Sequence, residues 1–225
     1  MKLAKLFAKT DRSPKQDFVL RSYVRADGSF DYERYKAIQE AGNKNKLDKS
    51  WAAEENIACV SAYLKERLPD IRFGICHGTR RGLEQQWFRK QLGCEVIGTE
   101  ISETATQFPH TIQWDFHEVK PEWRGAADFI YSNAFDHSYD PALCINRWMS
   151  CLKPDGICVI EHSSAHEPQG TSDLDPFGAS LSIMPYLILE WSKGSFHIED
   201  IQDAPVKKPK VDYIKFLMIR HALHR

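Results

Sequence analysis

The sequence predicts an α/β protein built on a doubly wound, mainly parallel sheet. Three observations carry this. From about residue 71 onward, short apolar strand-like runs alternate with segments of helical pattern, which is the arrangement of a parallel sheet covered on both faces. The last two runs are joined only by a short basic loop, too short for a crossover helix, so they must pair as an antiparallel hairpin. Residues 1–70 lack the alternation and read as helices.

In chain order, a helix is expected over "FDYERYKAIQEA" (30–41), then a polar break, "GNKNK", and a second helix from about Ser50 to Leu68 with Ile57, Val60, Leu64 and Leu68 on one side. We read 1–70 as a helical extension packed on a sheet domain of residues 71–225. In that domain the expected strands are "IRFGIC" (71–76), "CEVIGTE" (94–100), "HTIQW" (110–114), "ADFIYSN" (127–133) and "GICVIEH" (156–162). One intervening helix is "GLEQQWFRKQL" (82–92). Another is capped by Asp140, with Pro141 at its first position and Leu143, Trp148, Met149 and Leu152 on its apolar side, and it stops at the turn "KPDG". A polar loop (163–178) and an apolar segment (179–191) precede the closing strands, 195–204 and 211–221, for a total of seven.

The chain of 225 residues is 42% hydrophobic and 12% aromatic, enough for one sizeable core. Lys plus Arg (30) nearly balances Asp plus Glu (31), which argues against indiscriminate phosphate binding and for a small or locally recognised substrate. The six cysteines form no C-x-x-C pair and read as reduced core thiols. Charges interrupt the apolar residues of "MKLAKLFAKTDR", and no run approaches the roughly 20 apolar residues of a membrane span. A soluble cytoplasmic protein is the expectation.

The stretch "FGICHGTRRGLE" (73–84) carries the chemistry. Its glycines, Gly74, Gly78 and Gly82, fall four apart and do not match the G-x-G-x-x-G spacing of a dinucleotide site. A helix starting after the first strand still offers unpaired N–H groups to an anion, at the carboxyl edge of the sheet where ligands bind. About twenty residues on, Glu100 ends its strand where a carboxylate can accept from both hydroxyls of a ribose. Asp115 and Phe116 follow the next strand, an acceptor and a flat apolar surface suited to an adenine.

On these residues the sequence resembles the class I S-adenosylmethionine-dependent methyltransferases over about residues 70–220. The matching features, in order, are "FGICHGTR", "GTE", "WDF", "ADFIYSNAFDH", "CLKPDGICVIEH" and the terminal hairpin, which fits that family's antiparallel seventh strand beside the fifth. Against the family's D-x-G-x-G-x-G, Gly74 stands for the acid, Cys76 for the first glycine and Arg80 for the third; only Gly78 holds its place.

The resemblance implies S-adenosylmethionine as cofactor, held by Gly74, Cys76, Gly78, Arg80, Glu100, Asp115, Phe116 and Asn133, with Arg80 or Arg81 clamping the methionine carboxylate. Asn133, Ala134, Asp136 and His137 would line the reaction centre. His137 or His162 is the candidate general base, His137 alternatively a backbone-bonding residue before a helix. The N-terminal helices would fold over the cofactor as a lid, with Trp51 and Tyr35 as substrate wall or as staples, and the loop Ser163–Gly178 would line the acceptor pocket.

A histidine base favours O-methylation of a small-molecule or sugar acceptor. The histidines are not read as a metal site, and no metal is expected. The segment Ser132-Asn133-Ala134-Phe135 lacks the prolines of amino-methylating enzymes of nucleic-acid bases, so nucleic acid is disfavoured. The competing readings are a nicotinamide-dependent oxidoreductase, opposed by the missing glycine motif, and a catalytically silent fold member acting as an interaction subunit, motivated by the altered loop.

Overall fold

The computed structural model describes residues 17–222; the N-terminal run read above for a leader lies outside them. The elements are β1 (Phe18–Leu20), α1 (Tyr32–Asn45), α2 (Glu54–Arg67), β2 (Phe73–His77), α3 (Leu83–Leu92), β3 (Glu95–Glu100), β4 (Thr111–Gln113), β5 (Ala127–Ser132), α4 (Pro141–Cys151), β6 (Leu152–Ser163), β7 (Phe177–Ala179), α5 (Met184–Ser192), β8 (Phe196–Asp203) and β9 (Ile214–His221).

Seven strands form one sheet in the order β4-β3-β2-β5-β6-β9-β8. β2 to β6 pair in parallel, and β9 runs antiparallel between β6 and β8, as the short basic loop requires. The chain winds outward from β2 to β4 and then returns to β5 on the other side of β2, so the direction of winding reverses between β2 and β5. A crevice opens at such a point outside the carboxyl ends of the strands.

Side-chain alternation divides the core into two layers. Ile75, Ile130, Cys158, Ile160, Leu217 and Ile219 face α4 and α5, where Trp148, Met149 and Ile188 pack. Their chain neighbours Cys76, Phe129, Tyr131, Val159, Phe216 and Met218 face the other way, against Ile57, Val60 and Leu64 of α2 and Phe88 of α3. Strands buried on both faces read as continuous apolar runs, which is why they were visible in the sequence.

Four details differ from the sequence reading. The expected break at "GNKNK" is helical: α1 runs through Gly42 to Asn45. A side chain at Gly42 would collide with Leu174 of the loop after β6, so this glycine serves close packing rather than termination. The second helix starts at Glu54, leaving the linker 46–53 between α1 and α2 as the irregular segment. Residues 1–70 also contain a strand, β1, which pairs antiparallel with β7 and ties the N-terminal part to the loop region before α5. Finally, "KPDG" is absorbed into the start of β6 as an irregularity between the pairs Ala127–Leu152 and Phe129–Ile157. Among the described residues no helix is long and apolar enough to cross a membrane.

Candidate functional site

The loop from β2 to α3 hooks over the end of β3. The N–H groups of Gly78 and Thr79 both donate to the Thr99 carbonyl, at 2.9 and 3.1 Å. Gly78 has φ +71, and a Cβ there would sit 2.5 Å from Cβ of Ala134, so both the conformation and the close approach of the β5 turn require glycine. Arg80 also has positive φ, 44. That is a conformation a glycine would adopt without strain.

The Arg80 backbone N–H donates to Oε2 of Glu100 at 3.1 Å, and Ser102 N–H donates to Oε1 at 3.1 Å. The last side chain of β3 is thus fixed at the mouth of the crevice. Burial pushes the Glu100 carboxyl above its ordinary value, against the pull of these two donors.

Asp115 lies on the far side of the same space. Its Oδ1 accepts from the His117 N–H (2.9 Å) and faces His117 Nδ1 (2.7 Å), while Oδ2 accepts from the Tyr32 hydroxyl at 3.0 Å. Burial works to raise this carboxyl, but the bonds from His117 and Tyr32 prevail and hold it below its ordinary value. Phe116 packs against His77 and Trp148 and borders the cavity beside Gly78.

Together Glu100, Asp115, Phe116, Gly78 and Arg80 line a cleft with about 510 Å³ of empty space, counted to its open mouth. Helix α1 closes one side with Tyr35, Gln39 and Asn43.

Two further clefts share Gly78 and Arg80 with the first. The smaller one runs to Glu84 and Asn133, whose Nδ2 donates to Glu84 Oε1 at 3.1 Å. Burial raises the Glu84 carboxyl to about 7. The larger, with about 1190 Å³ of empty space to its open mouth, is bordered by Trp51, Asn133, Asp136, His137, His166 and Asp175. Trp51 reaches it from the linker before α2, its indole anchored to the Glu161 carboxylate at 2.8 Å and its ring 5.4 Å from that of His166. His166 Nε2 is 3.9 Å from Asp136 Oδ2. The space that a nucleoside would take and the space that an acceptor would take therefore meet at Gly78, Arg80, Ala134 and His137.

Of the residues named from sequence, Gly78, Arg80, Glu100, Asp115, Phe116, Asn133 and His137 come together at these clefts. Gly74, Cys76 and His162 do not line them. Gly74 lies inside β2, where a side chain would collide with the Phe129 ring. Cys76 points into the α2–α3 layer, and burial first, then the Glu84 charge, pushes its thiol well above the ordinary value. His162 is buried in β6 next to Tyr213, and desolvation lowers its imidazole to about 3, which leaves it a weak base with no access to the clefts.

The guanidinium groups of Arg80 and Arg81 donate to the Lys49 and Asp48 carbonyls, at 3.2 and 3.1 Å, so both arginines hold the α1–α2 linker. Sequence reasoning missed Gln39, Glu84 and Asp175 as lining residues. Glu84 ends the glycine-containing stretch, Asp175 lies in the loop expected at the acceptor pocket and Gln39 in the first helix, but no spacing singled out these side chains, and only the fold brings them to the crevice.

A family model described as a methyltransferase domain matches residues 75–160. No curated protein matches the chain in a sequence comparison. Among solved structures, the chain is similar to the Burkholderia thailandensis 1,6-didemethyltoxoflavin-N1-methyltransferase bound to 1,6-didemethyltoxoflavin and S-adenosylhomocysteine. The TM-score is 0.65 at 17% identity, covering 87% of this chain and 92% of that one. It is also similar to the magnesium protoporphyrin IX methyltransferase of Synechocystis PCC 6803 with bound SAM (TM-score 0.56, 12% identity, 86% and 99% covered), and to a plantazolicin methyltransferase in complex with SAH (0.63, 12%, 85% and 96%). Strand order, hairpin and these structural likenesses agree: the chain has the class I, Rossmann-like methyltransferase fold, and its residues 75–160 match a methyltransferase domain.

Proposed function

We propose that the protein transfers the methyl group of S-adenosylmethionine to an oxygen of a small-molecule acceptor, sugars included. The observation that carries this is the placement of Glu100, a buried carboxylate fixed by two backbone donors at the end of β3, facing a cleft that Asp115 and Phe116 close. These residues fit a nucleoside: Glu100 has lone pairs left for ribose hydroxyls, Asp115 an acceptor for an amino group, and Phe116 an apolar border. In the recess beyond Gly78, Glu84, Asn133 and Arg80 offer a carboxylate, an amide and a guanidinium to an amino-acid end. The bound cofactor supplies an activated methyl group on a sulfonium.

The chain's own contribution is positioning, which supplies most of the catalysis in an in-line displacement. Trp51 walls the acceptor cleft and excludes water there. His166 takes the place given to His162 in the sequence reading: it borders the acceptor cleft, with Asp136 Oδ2 3.9 Å from its Nε2, and it can accept a hydroxyl proton. His137 is held differently. Its Nδ1 lies 2.9 Å from both Gln39 Oε1 and the Leu174 carbonyl, which joins α1 and the loop before β7 over the crevice.

Calorimetric titration with S-adenosylmethionine, and separately with NAD, tests the reading. Binding of the first alone, followed by release of S-adenosylhomocysteine with hydroxylated acceptors, is the expected result. The glycine-to-Arg80 change favours a silent fold member instead, and binding of neither ligand decides for that second reading.

A further inference from the structure

One group of side chains at the acceptor cleft has more lone pairs than donors. Asp136 and His137 come from the turn after β5, and Asp175 from the loop before β7. One ligand atom from each lies within 4.8 Å of the others. The Nδ1 of His137 faces two acceptors, Gln39 Oε1 and the Leu174 carbonyl, so it carries the proton. In the neutral ring Nε2 then presents a lone pair, and it does so toward Asp175 Oδ1, 3.5 Å away. Asp175 Oδ2 is committed to the Ser172 hydroxyl at 2.8 Å, which leaves Oδ1 as its free oxygen.

Asp136 is nine-tenths buried at the edge of the same cleft, and its Oδ1 has no hydrogen-bond donor. A second proton on His137 would satisfy Asp175 and still leave Asp136 Oδ1 unpartnered. Among the described ion pairs, neither Lys46 nor Arg80, which line this cleft, reaches either carboxylate. A single cation satisfies all three groups at once.

We propose that Asp136, His137 and Asp175 form a divalent-cation site in the acceptor cleft. Two carboxylates and one imidazole suit a hard or borderline ion such as Mn²⁺ or Mg²⁺, and three protein ligands leave open positions for water or for oxygen donors of an acceptor. The class of acceptor this selects is one that presents oxygen atoms to the ion, where a bound hydroxyl is acidified. This assignment rests on the reading of the cleft as the acceptor site.

The test is a Mn²⁺ titration of the chelator-treated full chain, without S-adenosylmethionine, followed by electron paramagnetic resonance. S-adenosylmethionine binding is measured calorimetrically on parallel samples as the check of fold. The expected result is one Mn²⁺ bound per chain, with binding at least tenfold weaker in Asp175→Asn and in Asp136→Asn while S-adenosylmethionine is still bound. Should the buried Asp136→Asn variant fail to fold, Asp175→Asn, on a half-buried loop, decides alone. Absence of Mn²⁺ binding, or equally tight binding in the folded variants, overturns the site. Cofactor bound without Mn²⁺ removes the cation site and leaves the methyltransferase reading standing; Mn²⁺ bound without cofactor removes that reading and leaves the site.

Discussion

The indole N–H of Trp51 donates to Oε1 of Glu161 at 2.8 Å, joining the linker before α2 to the interior of β6. Glu161 is buried, and its other oxygen accepts from the Tyr131 hydroxyl at 2.7 Å. Burial raises this carboxyl and the two donors oppose it, so each bond matters to a group that has lost its water. Trp51→Phe keeps an aromatic wall and removes one donor. The expected outcome is a stability loss of about 1–3 kcal/mol in denaturant unfolding, together with a higher KM for acceptor and little change in cofactor affinity. Unchanged stability would show that the linker is held by other contacts.

Glu100→Ala removes the acceptors assigned to the ribose and leaves the Arg80 and Ser102 N–H groups facing an empty space. S-adenosylmethionine affinity is expected to fall by on the order of 10- to 100-fold, about 1.4 kcal/mol for each factor of ten. Titration calorimetry reads it directly. An unchanged Kd would take Glu100 out of the cofactor site.

Arg80 separates backbone from side-chain effects. Its φ of 44 favours glycine, so Arg80→Gly is expected to be more stable than Arg80→Ala by about 1 kcal/mol. Both variants lose the bond from the guanidinium to the Lys49 carbonyl. If both also bind S-adenosylmethionine as tightly as the parent, the guanidinium serves only the linker and not a carboxylate.

The pH dependence of stability follows from Glu84. Its carboxyl is raised from 4.5 to about 7, chiefly by burial, so the folded state binds more protons than the unfolded state between these values. Stability therefore falls as pH rises through that window and levels off above about 7. Glu84→Gln removes the titration, and the variant gains on the parent by on the order of 3 kcal/mol between pH 4 and pH 8. Thermal unfolding of both proteins across this range measures it, and parallel pH profiles would show that Glu84 does not titrate there.

The order of elements was readable because the central strands of the parallel sheet are apolar on both faces and α4 is signposted at its start. Asp140 and Pro141 did open α4 as expected, with the Asp140 carboxylate accepting from the Leu143 N–H at 2.9 Å. The short pairing of β1 with β7 left no such trace: three residues each, joined across the chain, carry too little pattern. Gly42 misled because glycine in a polar run usually ends a helix, whereas here it makes room for Leu174.

The site divides along the same line. Gly78, Glu100, Asp115 and Phe116 were legible because they end strands, and a strand end at the winding reversal lies at the crevice by topology alone. Residue type and spacing, however, do not say which way a side chain points. His162 and His166 are four apart, yet one is enclosed beside Tyr213 and the other borders the acceptor cleft.

The sequence by itself thus determined the sheet, its hairpin and the edge at which the crevice opens, because local periodicity and connection length suffice for those. Only the tertiary structure decided which histidine meets the cleft, that Arg80 and Arg81 hold the linker, and that Asp175 joins Asp136 and His137. These are contacts between segments far apart in the chain, set by packing rather than by any local pattern.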